Sequence, residues 1–167
     1  MIELARLLTG KGVQHHPGCW YQDEESIVVP EMDEEGLLHE ILHHVVATDA
    51  ERTWPNLALD DDTAGILAQD PDLAKELDDD WTEATPYVRE YQVCHLERVI
   101  YGRRGRGVPE RSSCRGYPEV TDPHLSATTA WCTERIATLA TALGLTSEEV
   151  IARCAEALVT FETKYRS

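Results

Sequence analysis

His39, Glu40 and His43 form an H-E-x-x-H motif within the run Gly36-Leu37-Leu38-His39-Glu40-Ile41-Leu42-His43-His44-Val45-Val46. Residues four apart share a face of an α-helix, so the two imidazoles can aim one nitrogen each at a single metal ion. Glu40 then stands beside that ion without having to bind it. A metal held in this way lowers the pKa of a bound water to about 7, and a neighbouring carboxylate can accept the proton released. The expected assignment is therefore His39 and His43 as metal ligands and Glu40 as catalytic base, with zinc as the default ion.

The motif needs a helix to carry it, and the flanking residues supply one. Ser26-Ile27-Val28-Val29-Pro30 reads as a β-branched strand stopped by proline, and Glu31-Met32-Asp33-Glu34-Glu35 provides the acidic first turn that a helix N-terminus favours. Leu37, Leu38, Ile41, Leu42, Val45 and Val46 wrap much of the helix, which predicts burial between other elements. Histidines on so buried a surface need polar partners, and a metal is one. His44 points about 100° away from His43 and is expected to serve packing or to support a ligand. His15 and His16, in a Gly/Pro-rich stretch, are expected to face water.

Two imidazoles leave a metal open-sided, so a third protein ligand is required. Glu90 ranks first. It lies in a segment, residues 85–101, whose early proline and recurring apolar residues predict a helix able to pack across the motif helix. Glu97 is seven residues further on and shares nearly the same face, so one glutamate can bind the metal while the other orients a histidine. Asp49 ranks second: it occupies the third-ligand position of an H-E-x-x-H-x-x-G-x-x-H pattern, but Val46 stands where the turn-forming glycine belongs. Glu97 and His95 follow, the latter about 140° around the helix from Glu90.

The 167 residues suffice for one good core and predict a single domain. A net charge of −16, from 31 acidic and 15 basic residues, argues against nucleic acid as a partner. No run approaches the 18 or so apolar residues that span a bilayer, and the N-terminal residues read as a short amphipathic helix ending at Thr9-Gly10 rather than a signal peptide. The expected location is the cytoplasm. Cys19, Cys94, Cys114, Cys132 and Cys154 show no C-x-x-C spacing and are expected to be free thiols, Cys132 and Cys154 as small buried hydrophobes.

Punctuation organises the remainder. Trp20-Tyr21-Gln22 and residues 26–29 flank Asp23-Glu24-Glu25 as a β-hairpin feeding the motif helix, which should end near residues 48–51 before a turn at Trp54-Pro55-Asn56. Residues 60–80 are acidic and read as a solvated face or mobile loop with a short possible helix at 72–77; the calcium-loop spacing is absent. Residues 102–123 hold the basic island Gly102-Arg103-Arg104-Gly105-Arg106-Gly107 and read as a long loop, which could fold over an anionic substrate, pair with the acidic segment, or remain disordered. Beyond it, a helix over 126–143 ends at Gly144, and Thr146 with Glu149 forms a capping box for a second helix reaching about residue 165. So short a link predicts an antiparallel helical hairpin, usable as scaffold or as a surface for a protein partner. The predicted fold is α+β and mainly helical: a metal-site core (1–101) with a short β-hairpin or small sheet, a basic loop (102–123) and a C-terminal helical hairpin (124–167).

The residues from Ile27 to Asn56, above all His39-Glu40-Ile41-Leu42-His43 followed by Glu51-Arg52 and Pro55-Asn56, resemble small zincin-like proteins of bacteria and phages. More faintly they are similar to the elongation factor P hydroxylase family, in which an arginine-containing turn and a glutamate-bearing helix follow the motif. The resemblance implies a zincin-like domain with His39 and His43 as ligands, Glu40 as base or supporting residue, and Glu90 as third ligand. The acidic segment after Pro55 departs from the hydroxylase pattern, so that family's substrate does not carry over. Three functions follow as expectations: a zinc-dependent hydrolase, in the first place a metallopeptidase acting on a peptide or protein; an iron-dependent hydroxylase or oxygenase using two histidines and a carboxylate; and a non-catalytic interaction module.

Overall fold

A computed structural model describes residues 1–16, 21–22, 25–29, 34–49, 51–53, 72, 85–105, 107 and 122–165. Among them the order of elements is α1 (Ile2–Thr9), β1 (Gly12–His15), β2 (Tyr21–Gln22), β3 (Ser26–Val29), α2 (Glu34–Val46), a 3₁₀ turn (Glu51–Thr53), α3 (Thr85–Arg103), α4 (Asp122–Ala142) and α5 (Ser147–Tyr165). The chain is thus α+β and mainly helical, as its sequence predicts.

The three strands form a mixed sheet in the order β1-β3-β2. The expected hairpin is present, with Tyr21 opposite Val28 and Gln22 opposite Ile27 in antiparallel register. The third strand is an addition: β1 pairs in parallel with β3, Val13 opposite Ile27. Its four residues, Gly12-Val13-Gln14-His15, lack the β-branched run that marks β3, so only pairing reveals them. The chain reaches β1 through Gly10, whose φ of 73° closes α1 in the left-handed conformation that glycine adopts without a Cβ clash.

Helix α2 is the centre of the molecule. Leu37, Leu38, Ile41, Leu42, Val45 and Val46 are each at most 2% exposed and cover about half of its circumference, and the other half carries the buried polar residues Glu40, His43 and His44. Helices α1, α3, α4 and α5 and strand β3 all pack on it. At roughly 1.5–3 kcal/mol for each large aliphatic side chain removed from water, this helix contributes heavily to stability. Val93, Leu96, Ile100 and Tyr101 of α3, Ile136 and Ala140 of α4, and Val150, Cys154 and Leu158 of α5 complete the same core.

The C-terminal hairpin forms as expected, α4 beginning four residues earlier than its apolar pattern suggests. Gly144 (φ 66°) closes α4, and the Leu145 backbone N–H donates to the Ala140 carbonyl at 2.8 Å. Thr146 and Glu149 make the reciprocal capping box: Glu149 N–H donates to Thr146 Oγ1 (3.2 Å) and Thr146 N–H donates to Glu149 Oε2 (2.7 Å). These contacts also hold the Glu149 carboxyl below the usual carboxylate range.

One expectation is overturned. Cys94 is disulfide-bonded rather than a free thiol, its partner lying outside the described residues. Spacing alone hides such a bridge, because pairing depends on Cα separation in the fold and not along the chain. Cys132 and Cys154 are free and buried, and burial pushes both thiols up to about 12. Helices α3 and α4 take residues 102–103 and 122–123 from the ends of the predicted basic loop. The rest of that loop except residues 104, 105 and 107, the turn at 54–56, and the acidic segment except Asp72 lie outside the described residues. Among the described residues, no helix is long and apolar enough to cross a membrane.

Candidate metal centre

Helices α2 and α3 pack side by side, and their facing polar residues collect at one place. His39 and His43, one turn apart on α2, turn their Nε2 atoms toward each other at 3.1 Å, with the rings edge-to-face (80° between planes, centroids 4.8 Å apart). From α3, Glu90 brings one carboxylate oxygen to 3.4 Å from His39 Nε2 and the other to 3.1 Å from His43 Nε2. Ligands about 2.0–2.1 Å from a tetrahedral ion stand roughly 3.3 Å from one another. The separation of the two nitrogens, and the distance of each nitrogen from its own nearer Glu90 oxygen, fall close to that edge length, and one ligand atom from each of the three residues lies within 4.8 Å of the others. Two imidazole nitrogens and a carboxylate oxygen also match the donor preference of zinc and of divalent iron. The residues present fit a transition-metal ion.

Burial is graded across the trio. His43 is sealed at 4% exposed, while His39 (17%) and Glu90 (23%) leave one side open to solvent. Burial disfavours the imidazolium of His39, but hydrogen bonds to Glu90 and Glu97, with the charges of Glu90 and Glu40, overcome it and raise its pKa to about 10. Burial likewise opposes the ionised form of Glu90, yet the two histidines hold its carboxyl well below the usual range. The carboxylates thus favour positive charge at His39, and the histidines favour negative charge at Glu90.

Around the trio the structure sorts the other sequence candidates. Glu97, fully buried, places its carboxylate 3.2 Å from His39 Nδ1, on the far side of the ring from Glu90. Glu40 is 9% exposed beside His39. Asp49 does not join: α2 ends at Val46, and the Asp49 side chain is 92% exposed with its carboxylate 2.9 Å from Arg52. His95 also stays apart, its pKa lowered by burial and by Arg98. His15 and His16 are exposed. His44 is 6% exposed, and its Nδ1 has no hydrogen-bond partner among the described residues. The Cys94 sulfur lies 3.7 Å from Glu90 Oε1.

A second set of residues, of which only Glu51 and Arg52 belong to the stretch that carries the family resemblance, holds α2 in place. The last carbonyls of a helix lack intrahelical donors. Here Arg52 Nε donates to the His44 carbonyl (2.9 Å), Trp131 Nε1 donates to the Val46 carbonyl (3.0 Å), and Arg135 donates to the Ala47 carbonyl. Below them Arg89, the neighbour of Glu90, donates from Nε to both Glu51 oxygens (2.9 and 3.2 Å) and stacks on Trp131 at 4.2 Å. Glu51 is itself positioned by a capping box, its N–H donating to Thr48 Oγ1 and its carboxylate accepting from Thr48 N–H. The signature Thr48-x-x-Glu51 was visible in the sequence. The contributions of Trp131 and Arg135, 85 and 88 residues from their acceptors, had no local signal.

Comparison with protein-family models, with curated proteins and with solved structures finds no match.

Proposed function

We propose that this protein is a metal-dependent hydrolase, in the first place a zinc peptidase, in which His39, His43 and Glu90 would hold the ion and Glu40 handles the proton. The observation that supports this most is the convergence of two Nε2 atoms and one carboxylate from two separate helices to within 4.8 Å. When bound, a divalent ion at such a site supplies Lewis acidity, lowering the pKa of water to about 7 and polarising a carbonyl. The protein's own part is positional and protolytic. Glu40, next in sequence to His39 on a buried helix, accepts a proton from the attacking water and returns it to the leaving group. His39 and Glu90, on the open side, border the approach for substrate, while His43 anchors the site from within.

The donor set supports a second reading, because two histidines and one carboxylate also make the site of iron-dependent oxygenases. The faint likeness to elongation factor P hydroxylases points the same way. Metal analysis of protein purified without added metal, followed by assay on a quenched fluorescent peptide library, separates the two. The zinc peptidase predicts about one equivalent of zinc, with hydrolysis lost to a chelator and restored by zinc. Glu40→Gln is expected to retain the metal and lose about 10²- to 10⁴-fold in rate. Stoichiometric iron with oxygen consumption overturns the hydrolase in favour of the oxygenase. Full activity in Glu40→Gln would remove that residue from the mechanism. Retained binding of a protein partner without turnover would make the chain an interaction module.

A further inference from the structure

We propose that Glu97 is a positioning residue for the metal centre, fixing the tautomer and orientation of His39 so that Nε2 is the nitrogen presented to the ion. This rests on the metal reading above. With an ion in place of the Nε2 proton, His39 would be a neutral imidazole carrying one N–H, and the nitrogen without it is the one able to bind the metal. A carboxylate oxygen accepts a hydrogen bond from a ring N–H, so Glu97, with Oε1 3.2 Å from Nδ1, favours the tautomer with the proton on Nδ1 and the lone pair on Nε2.

The placement makes this specific. Glu90 and Glu97 lie two turns apart on α3 and meet the two ends of one ring: Glu90 Oε1 stands 3.4 Å from Nε2, and Glu97 Oε1 stands 3.2 Å from Nδ1. One helix thus supplies both a ligand and the support for another ligand, across the 58 residues that separate His39 from Glu97. Glu97 is 0% exposed, on the same helix as the buried Leu96 and Ile100, where a solvated surface role is impossible. Burial of a carboxylate there is costly unless a hydrogen-bonded partner of opposite polarity receives it. His39 is such a partner. Where a metal draws electron density from Nε2, the Nδ1 proton becomes more acidic and its bond to Glu97 strengthens, so support and ligation reinforce each other.

The test compares the full chain with Glu97→Gln, Glu97→Asp and, as a core control, Ile100→Val. Zinc affinity is measured by competition with a chromophoric chelator, and coordination by the visible absorption of the cobalt(II)-loaded protein. Glu97→Gln, which keeps the shape and removes the charge, is expected to weaken zinc about 10- to 100-fold and alter the cobalt spectrum. Glu97→Asp is expected to recover part of the affinity. Ile100→Val lowers stability yet should leave both metal readouts unchanged. Wild-type affinity and an unchanged cobalt spectrum in Glu97→Gln would overturn the inference while leaving the metal reading intact. If Glu97→Gln fails to fold, Glu97→Asp decides: a shortened carboxylate with no effect on zinc or on the cobalt bands also overturns it. Failure of the wild-type chain to bind either ion removes the metal reading itself, and this proposal with it.

Discussion

His44 shows how differently neighbouring residues of one type can behave. It sits beside His43, yet burial and the charges of Arg52 and Lys11 lower its pKa to about 3, so it is a neutral imidazole in the core. In the unfolded chain it takes up a proton near pH 6.5. The sign follows directly. Above pH 6.5 neither state binds the proton and His44 leaves stability untouched; as pH falls from 6.5 toward 3, only the unfolded state binds it, and stability is lost. Its share of the slope approaches about 1.4 kcal/mol per pH unit once the unfolded histidine is fully charged. Urea unfolding of the wild type and His44→Leu between pH 7 and 4 should therefore show a shallower acid-side decline in the variant. Parallel curves for the two proteins would contradict a buried neutral His44.

At the scale of elements, the end of α2 is the informative place. Its final carbonyls receive donors from a turn (Arg52) and from α4 (Trp131 and Arg135), cations at a helix C-terminus being favoured by the helix dipole as well. The helix that carries both histidines is therefore held at its C-terminal end by the first helix of the C-terminal hairpin. Trp131→Phe keeps the aromatic face over Arg89 but removes the Nε1–H donor, leaving the Val46 carbonyl without it. A loss of about 1–3 kcal/mol is expected, measured by chemical denaturation. A neutral outcome would mean that water replaces the indole at that carbonyl.

For the whole molecule, the buried pair Glu51–Arg89 joins the end of the α2 segment to the helix that bears Glu90. Removing one partner of a buried pair leaves an uncompensated charge, so Arg89→Met is expected to cost about 3–5 kcal/mol of folding stability. Combined with Glu51→Gln the loss should be much smaller, because no buried charge is then stranded. Arg89 is adjacent to Glu90, so the single variant should also bind zinc more weakly than the double variant. Additive losses in denaturation experiments would show that the two side chains are not energetically coupled.

Much of this protein was legible in the order of its residues, because the features concerned are local. The 3.6-residue spacing of Leu37, Leu38, Ile41, Leu42, Val45 and Val46 determined a buried helix, and its four-residue spacing placed His39 and His43 on one face. Thr146-x-x-Glu149 and Gly144 marked the helical link at the C-terminus. What only the tertiary structure decided are the long-range choices. Glu90, Glu97, His95 and Asp49 were all chemically able to complete the site, and α3 packing on α2 brought Glu90 to the Nε2 atoms and Glu97 to Nδ1. Strand β1 exists through its pairing with β3, and the Cys94 disulfide and the α4 cap on α2 depend equally on meetings between distant segments. The reason is physical: a helix period or a cap is set by neighbours within a turn, whereas a ligand set is closed by residues whose approach depends on how whole elements pack.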